Sequence, residues 1–217
     1  MPVIDGKRLR HEALKLGILL QDDQILLLDK FAQQLLEVNK THNLTAITDP
    51  REMEIKHFLD CLALCAMPEL GNCVLDIGTG AGFPGVVIAV ARKDCTVTMM
   101  EARKKKVEFV ESLCRQLCLS AIVIQGRAEE IHDPKWLGRF DAVVARAVAP
   151  LPRLVPLALP YIKKGGTLIA MKGPKAQPEL EQTLPMLSQW GVRWQTNRQY
   201  TLPGELIRTA VIMKKTR

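Results

Sequence analysis

The stretch "VLDIGTGAGFPG", Val74 to Gly85, holds two overlapping glycine patterns, and the choice between them decides what kind of nucleotide-binding fold this chain builds. Counted from Gly80 it reads Gly-x-Gly-x-x-Gly (Gly80, Gly82, Gly85), the dinucleotide fingerprint. Counted from Asp76 it reads Asp-x-Gly-x-Gly-x-Gly (Asp76, Gly78, Gly80, Gly82). Three features favour the second. Asp76 ends an apolar run ahead of the glycines, where a carboxylate repels a pyrophosphate but suits the ammonium and sulfonium of S-adenosylmethionine. Pro84 stands where a dinucleotide loop needs free backbone N–H groups at a helix start, and proline has none. The apolar run also ends by Ile77, so the turn begins at Gly78 rather than Gly80.

Outward from this loop, short apolar runs alternate with amphipathic ones. Strands are expected at Val74–Ile77, Thr96–Glu101, Ala121–Gln125, Phe140–Ala145 and Thr167–Met171. Between the second and third, Val107, Val110, Leu113, Cys114 and Leu117 share one helical face. Strands apolar on both faces and joined by crossover helices predict a doubly wound parallel sheet. The tail, "RWQTNRQYTL" and "RTAVIMKK" around a Pro-Gly turn, predicts a hairpin at the sheet edge. Before the sheet, residues 1–67 read as helical, with Ile25, Leu28, Ala32 and Leu35, then Ile55, Phe58, Leu59 and Leu62, at helical spacing. The polar turn "NKTHNLTAITDP" separates them. The expected organisation is an N-terminal helical cap, 1–67, and an α/β domain, 68–217.

In such a sheet the ligand lies at the carboxyl ends of the strands. Glu101, 21 residues after Gly80, ends the second strand and is placed to accept hydrogen bonds from ribose hydroxyls. Glu129, in "GRAEEI" after the third strand, falls on the next loop of the same edge, where an adenine would lie. Arg103 in "EARKKK" raises an NADP reading, which Glu101 opposes by repelling a 2′-phosphate. Four cations at a helix start also run against the helix dipole.

The 217 residues carry 30 Lys plus Arg against 23 Asp plus Glu, a net charge of +7 that favours a polyanionic partner. Hydrophobic residues make up 47% of the chain, without the roughly 18-residue apolar run of a membrane span. The N-terminus shows no apolar signal core, so a cytoplasmic location without membrane contact is expected. The six cysteines (Cys61, Cys65, Cys73, Cys95, Cys114, Cys118) form no Cys-x-x-Cys, and the four histidines (His11, His42, His57, His132) are scattered. Buried reduced thiols and no metal are expected.

Together these blocks resemble class I methyltransferases and, more narrowly, the ribosomal small-subunit methyltransferase G family (RsmG, or GidB). The resemblance rests on "NKTHNLTAI", "HFLDCL", "DIGTGAGFPG", "FDAVVARAVA" and "AMKG" in that order. It implies a Rossmann-like class I S-adenosylmethionine-dependent methyltransferase fold and methyl transfer to N7 of a guanine in 16S ribosomal RNA. Carried over by position, it implies Gly78 and Phe83 in the cofactor loop, Ala128 and Glu129 beside the adenosine, and Arg146 near the transfer site. Two positions depart from the family pattern: Ala145 and Cys61 stand where serine is frequent, so no serine hydroxyl is available there.

Guanine N7 has an in-plane lone pair and loses no proton on alkylation, so no general base is expected; catalysis reduces to placing N7 in line with the methyl–sulfur bond. Arg146 at the end of the fourth strand is a candidate for the cofactor carboxylate or an RNA phosphate. His57, three residues before Asp60, reads either as a contact to RNA or to the glycine loop or, more simply, as a residue that ties its helix to a neighbour. Candidate RNA contacts are Lys40, Asn43, Arg51, Lys56, Arg103, Lys104, Lys105, Lys106, Arg139, Lys172 and Lys175. Aromatic residues are 5% of the chain, which disfavours a broad stacking platform and favours phosphate and shape recognition of 16S rRNA or the small ribosomal subunit by a monomer. The competing readings are a nicotinamide oxidoreductase, a non-catalytic RNA-binding or ribosome-assembly factor with this fold, and a methyltransferase with another acceptor.

Overall fold

The apolar runs pair into one seven-stranded sheet in a computed structural model that describes residues 2–131 and 133–217; His132 lies outside the described residues. The strands are β1 (Cys73–Ile77), β2 (Thr96–Glu101), β3 (Ile122–Gln125), β4 (Phe140–Arg146), β5 (Ile162–Lys172), β6 (Val192–Leu202) and β7 (Leu206–Lys215), in the order β3-β2-β1-β4-β5-β7-β6. The first five are parallel, and β7 runs antiparallel to both β5 and β6. Strand order reverses between β1 and β4, which opens a crevice at their carboxyl ends. The expected tail hairpin is present, with β7 lying between β5 and β6 and β6 at the sheet edge. Because β7 is antiparallel, it begins where the parallel strands end: Thr209 pairs with Lys172. β5 is longer than its apolar run because Ile162 pairs with Phe140 of β4 at its start and Lys172 with Thr209 of β7 at its end.

Helices α1 (Gly6–Lys15) and α2 (Asp22–His42) precede the sheet. α2 starts in a capping box in which Gln24 Oε1 accepts from the Gln21 N–H at 2.8 Å, carries Asp22 and Asp23 in its first turn, and ends on Asn43 in the left-handed region. A longer helical stretch follows as α3 (Pro50–Met53), a π-helical turn (Glu54–Leu59) and α4 (Asp60–Cys65). The extra residue per turn was not visible in the apolar spacing, and such turns concentrate at functional sites. α5 (Gly85–Ala91) and α6 (Lys104–Gln116) cross over on the same face as the N-terminal helices, and α7 (Leu151–Ala158) and α8 (Ala176–Thr183) cover the other. Each sheet face therefore has its own core, one around Phe31, Phe58, Val86 and Val110, the other around Tyr161, Phe140, Leu154 and Leu168.

Candidate functional site

The glycine loop hangs from the sheet by backbone bonds. Gly78 and Thr79 N–H groups donate to the Met100 carbonyl of β2 at 2.8 and 3.1 Å, and Thr79 O accepts from Gly82 and Phe83. Gly78, Gly80 and Gly82 all have positive φ, which only glycine adopts without strain. Their surroundings differ. A Cβ on Gly80 would have no neighbour closer than 3.8 Å, so this is the glycine that faces open space; one on Gly82 would meet Val86 at 2.7 Å and Phe31 at 3.3 Å. Gly82 thus permits packing against α5 and α2, and its place among the cofactor contacts is indirect.

Asp76 requires a correction of its expected role. Its side chain is fully buried, and Oδ2 accepts the Gly85 N–H at 2.7 Å, at the start of α5. The Gly85 N–H at the helix start, which a pyrophosphate would need, is therefore taken from within by a carboxylate, which argues against the dinucleotide reading. Asp76 does not reach the cleft to meet an ammonium or sulfonium. Burial pushes its carboxyl up to about 6, against the pull of Thr79, the Gly85 N–H and Arg146.

Glu101 closes the other side of the loop. It is buried at the end of β2, where Oε2 accepts from Gly80 N at 3.0 Å and Oε1 from Arg103 N at 2.8 Å. Gly78 and Glu101 border two adjoining spaces, a large cleft of about 1170 Å³ and a smaller pocket of about 200 Å³ that Ala128 and Glu129 also line. Val148 stands between them, close enough to Gly78 that a Cβ there would lie 2.8 Å from its Cγ2. The two-part space fits a nucleoside on the Glu101 and Glu129 side and a charged tail on the Gly80 side, so the residues present fit S-adenosylmethionine.

Arg146 is the hub of the large cleft. Nη1 donates to the Lys56 carbonyl at 2.9 Å and lies 3.5 Å from Asp60 Oδ2; Nη2 lies 3.2 Å from His57 Nδ1; and the guanidinium sits 5.1 Å from the Phe83 ring centroid. The His57 ring stacks on Phe83 at 4.3 Å, and Phe83 stacks on Phe31 at 4.7 Å. The π-helical turn delivers Lys56 and His57 to this contact, and α4 delivers Asp60. His57 and Asp60 do not pair with each other, and each meets Arg146 instead. Burial and then Arg146 hold the His57 imidazole down to about 3. Asp60 accepts from the Tyr200 hydroxyl at 2.9 Å and faces Arg208 at 3.6 Å; burial pushes its carboxyl up against the pulls of Arg146, Tyr200 and Arg208.

Residues 24–195 match the GidB family, described as rRNA small subunit methyltransferase G. The ribosomal RNA small subunit methyltransferase G of Desulfitobacterium hafniense is 37% identical over 92% of this chain and 84% of its own length. That of Caldanaerobacter subterraneus subsp. tengcongensis is 45% identical over 74% and 69%. The chain belongs to the rRNA small subunit methyltransferase G family. The fold agrees with the class I methyltransferases: the O-methyltransferase TomG of Streptomyces achromogenes superposes with a TM-score of 0.60 at 18% identity, over 99% of this chain and 100% of that one.

The family block "NKTHNLT" has a physical reading in this fold. Asn39 bonds Thr45 twice, through Nδ2 to the carbonyl at 3.0 Å and through Oδ1 from the N–H at 2.9 Å, closing the loop after α2. Thr45 Oγ1 then lies 2.9 Å from His57 Nε2. Asn43 is exposed with φ of +46° and shapes the loop.

The expected RNA contacts divide. Lys56, Arg103, Lys106 and Lys175 line the large cleft; the half-buried Arg51 pairs with Glu54 at 3.1 Å, and the exposed Lys104 and Lys105 stand in the first turn of α6, Lys105 on a separate groove against α2. Lys40 is exposed and pairs with Glu37. Two placements are corrected. Lys172 has an 11% exposed side chain whose Nζ donates to Ala149 O at 2.7 Å and pairs with Glu179 at 2.8 Å, so its charge is spent inside the protein. Arg139 precedes β4 and stands at the amino end of the sheet, one strand length from the cleft. Arg208, which lines the cleft, and Tyr200, which holds Asp60 from the end of β6, could not be found as site residues in the sequence, because only the pairing of the tail hairpin with β5 brings them there.

All six thiols are free. Burial pushes Cys65 up to about 12 and Cys114 up to about 11. Among the described residues no cluster of three His, Cys, Asp or Glu could hold a metal, and no helix is long and apolar enough to cross a membrane.

Proposed function

We propose that this chain transfers a methyl group from S-adenosylmethionine to N7 of a guanine in 16S ribosomal RNA. The observation that carries this reading is the pairing of a glycine loop closed to pyrophosphate by Asp76 with a cleft lined by seven Lys and Arg against three Asp and Glu. When bound, S-adenosylmethionine supplies an electrophilic methyl on its sulfonium. The chain's own residues position and neutralise. Glu101 receives the ribose, the Gly78 and Gly80 backbones lie beside the cofactor, and Ala128 and Glu129 border the base. Phe83 and Arg146 define the wall where the acceptor enters.

Guanine N7 loses no proton on alkylation, so the transfer needs no general base. Arg146 cannot accept a hydrogen bond, so His57 Nδ1 must, and the proton of the neutral ring sits on Nε2 facing Thr45. His57 is thereby held by its neighbours on both nitrogens. Asp60 is engaged by Tyr200, Arg146 and Arg208. Lys56, Arg103, Lys106, Lys175 and Arg208 surround the mouth and hold RNA phosphates. The target guanine turns out of its stack to enter. Residues 1–67 act as a cap over the catalytic domain, 68–217, and the enzyme works as a cytoplasmic monomer.

The test is transfer of labelled methyl to small ribosomal subunits from cells lacking this protein, with the modified nucleotide mapped. Label at N7 of one 16S guanine is expected. Response to NAD(P)H in place of S-adenosylmethionine would restore the oxidoreductase reading, and RNA binding without label would leave a binding factor.

A further inference from the structure

The sheet has a second basic edge, at the end opposite the cleft. Arg139 immediately precedes β4, Lys163 and Lys164 begin β5, Lys214 lies near the end of β7 and Arg193 near the start of β6. The order β4-β5-β7-β6 makes these four strands consecutive neighbours. At about 4.8 Å per strand the row spans roughly 14 Å. Arg217 joins it, its Cγ 3.3 Å from where a Cβ on Gly191 would stand, beside the start of β6.

Two features of this row work against stability. Arg193 lies directly opposite Lys214 in the antiparallel register of β6 and β7, and like charges in that relation repel. Lys163 to Gly165 also protrude, since five steps along β5 from Ile162 to Thr167 oppose two along β4 from Phe140 to Ala142. The bordering carboxylates are already engaged. Asp141 holds Lys163 and the N–H groups of Asn72 and Cys73; Glu69 holds Arg198 at 2.7 Å; Asp133 holds Lys135 at 2.8 Å. Among the described residues Arg139, Lys164, Arg193, Lys214 and Arg217 enter no ion pair. The fold thus keeps a row of uncompensated cations whose repulsion a bound row of phosphates would relieve.

We propose that this amino-terminal edge of the sheet is a second RNA-binding surface, which grips backbone phosphates while the opposite edge presents the cleft to the target guanine. The proposal rests on the reading that the acceptor is ribosomal RNA. An enzyme seated in a recess of a folded ribonucleoprotein meets phosphates on more than one side, and contacts of this kind set position and affinity without reading sequence.

The test is the full-length triple variant Lys164→Ser/Arg193→Ser/Lys214→Ser, with binding to small ribosomal subunits and to protein-free 16S rRNA measured separately from methyl transfer. At least tenfold weaker binding is expected. The slope of log K against log salt should shrink by about 2, at roughly 0.7 per lost contact. KM for the RNA should rise with kcat and cofactor affinity unchanged, and Arg193→Lys should keep wild-type binding. The thermal midpoint should hold or rise, because a repulsive pair is removed. Wild-type methylation with an unaltered KM and salt slope in the triple variant would overturn the surface and leave the catalytic reading standing. Patch-dependent RNA binding by a wild-type chain that transfers no methyl would do the reverse. Loss of binding to anionic vesicles or to an acidic protein, with RNA binding intact, would also overturn it.

Discussion

Arg146 Nη2 lies 3.2 Å from His57 Nδ1, and this contact fixes the tautomer of the histidine, while burial and then the Arg146 charge keep the ring neutral. A guanidinium only donates, so Nδ1 carries the lone pair, and a second proton on the ring would face a permanent cation.

His57 should therefore stay neutral down to acid pH. Its value falls from an ordinary 6.5 to about 3 in the folded protein. The folded value is the lower one, so the unfolded chain binds more protons between those limits; the stability this group contributes is complete above about 6.5 and is lost as pH falls towards 3. Imidazole nitrogen shifts in a pH titration should show an Nε2–H tautomer and no protonation of His57 above pH ~4.

Asp76 has the opposite sign. Its value rises from 3.8 to about 6, so its burial favours the folded state most below about 3.8, and that contribution is lost as pH rises through 6. Asp76→Asn, which keeps an acceptor for Gly85 N, should fold and should flatten the dependence of the unfolding free energy on pH between 4 and 6. An unchanged profile in denaturant titrations would contradict this.

Glu101→Ala removes the acceptor for the Gly80 and Arg103 N–H groups and the expected ribose partner. Charge-assisted bonds of this kind contribute about 1.5–3 kcal/mol, so affinity for S-adenosylmethionine should fall by about 10- to 100-fold in calorimetry. RNA binding in the absence of cofactor should change little.

Gly80 and Gly85 should separate binding from folding. Gly80→Arg places a side chain into open space beside Lys106, at a backbone cost of about 1–2 kcal/mol for a side chain at φ +61°, and should abolish cofactor binding while the chain remains folded. Gly85→Ala drives a methyl into Met99 and to 2.8 Å from Asp76 Oδ2, and should lower stability by about 1–3 kcal/mol. Thermal unfolding and calorimetry on the two variants read the two effects apart.

Lys172→Glu should fail through folding rather than through RNA. It sets a second carboxylate against Glu179, whose Oε2 also accepts the Leu151 N–H at 2.9 Å and so braces the segment carrying Val148. Breaking such a buried pair costs about 3–5 kcal/mol. Lys175→Ser, at an exposed position on the cleft, should leave the thermal midpoint within ~2 °C and weaken RNA binding.

The sequence by itself determined the layers and the chemistry of the loop. Runs such as Val74–Ile77 and Phe140–Ala145 are apolar on both faces, which only a covered parallel sheet satisfies, and the glycines with Pro84 left one place for a nucleoside. Periodicity and turn chemistry are local, so they survive in one dimension. Tertiary structure alone decided which polar groups are free. Asp76 and Lys172 look like ligand-facing charges in the chain, but the fold turns them inward, onto Gly85 and Glu179. Arg139 looks like one basic residue among many, and only strand direction sends it to the far edge. Arg208 reaches the cleft because β7 runs backwards, and Tyr200, near the end of β6, reaches Asp60 behind it. The partner of a charge is set by strand order and direction, which bring together residues as far apart as Asp60 and Tyr200, and no local spacing encodes that pairing.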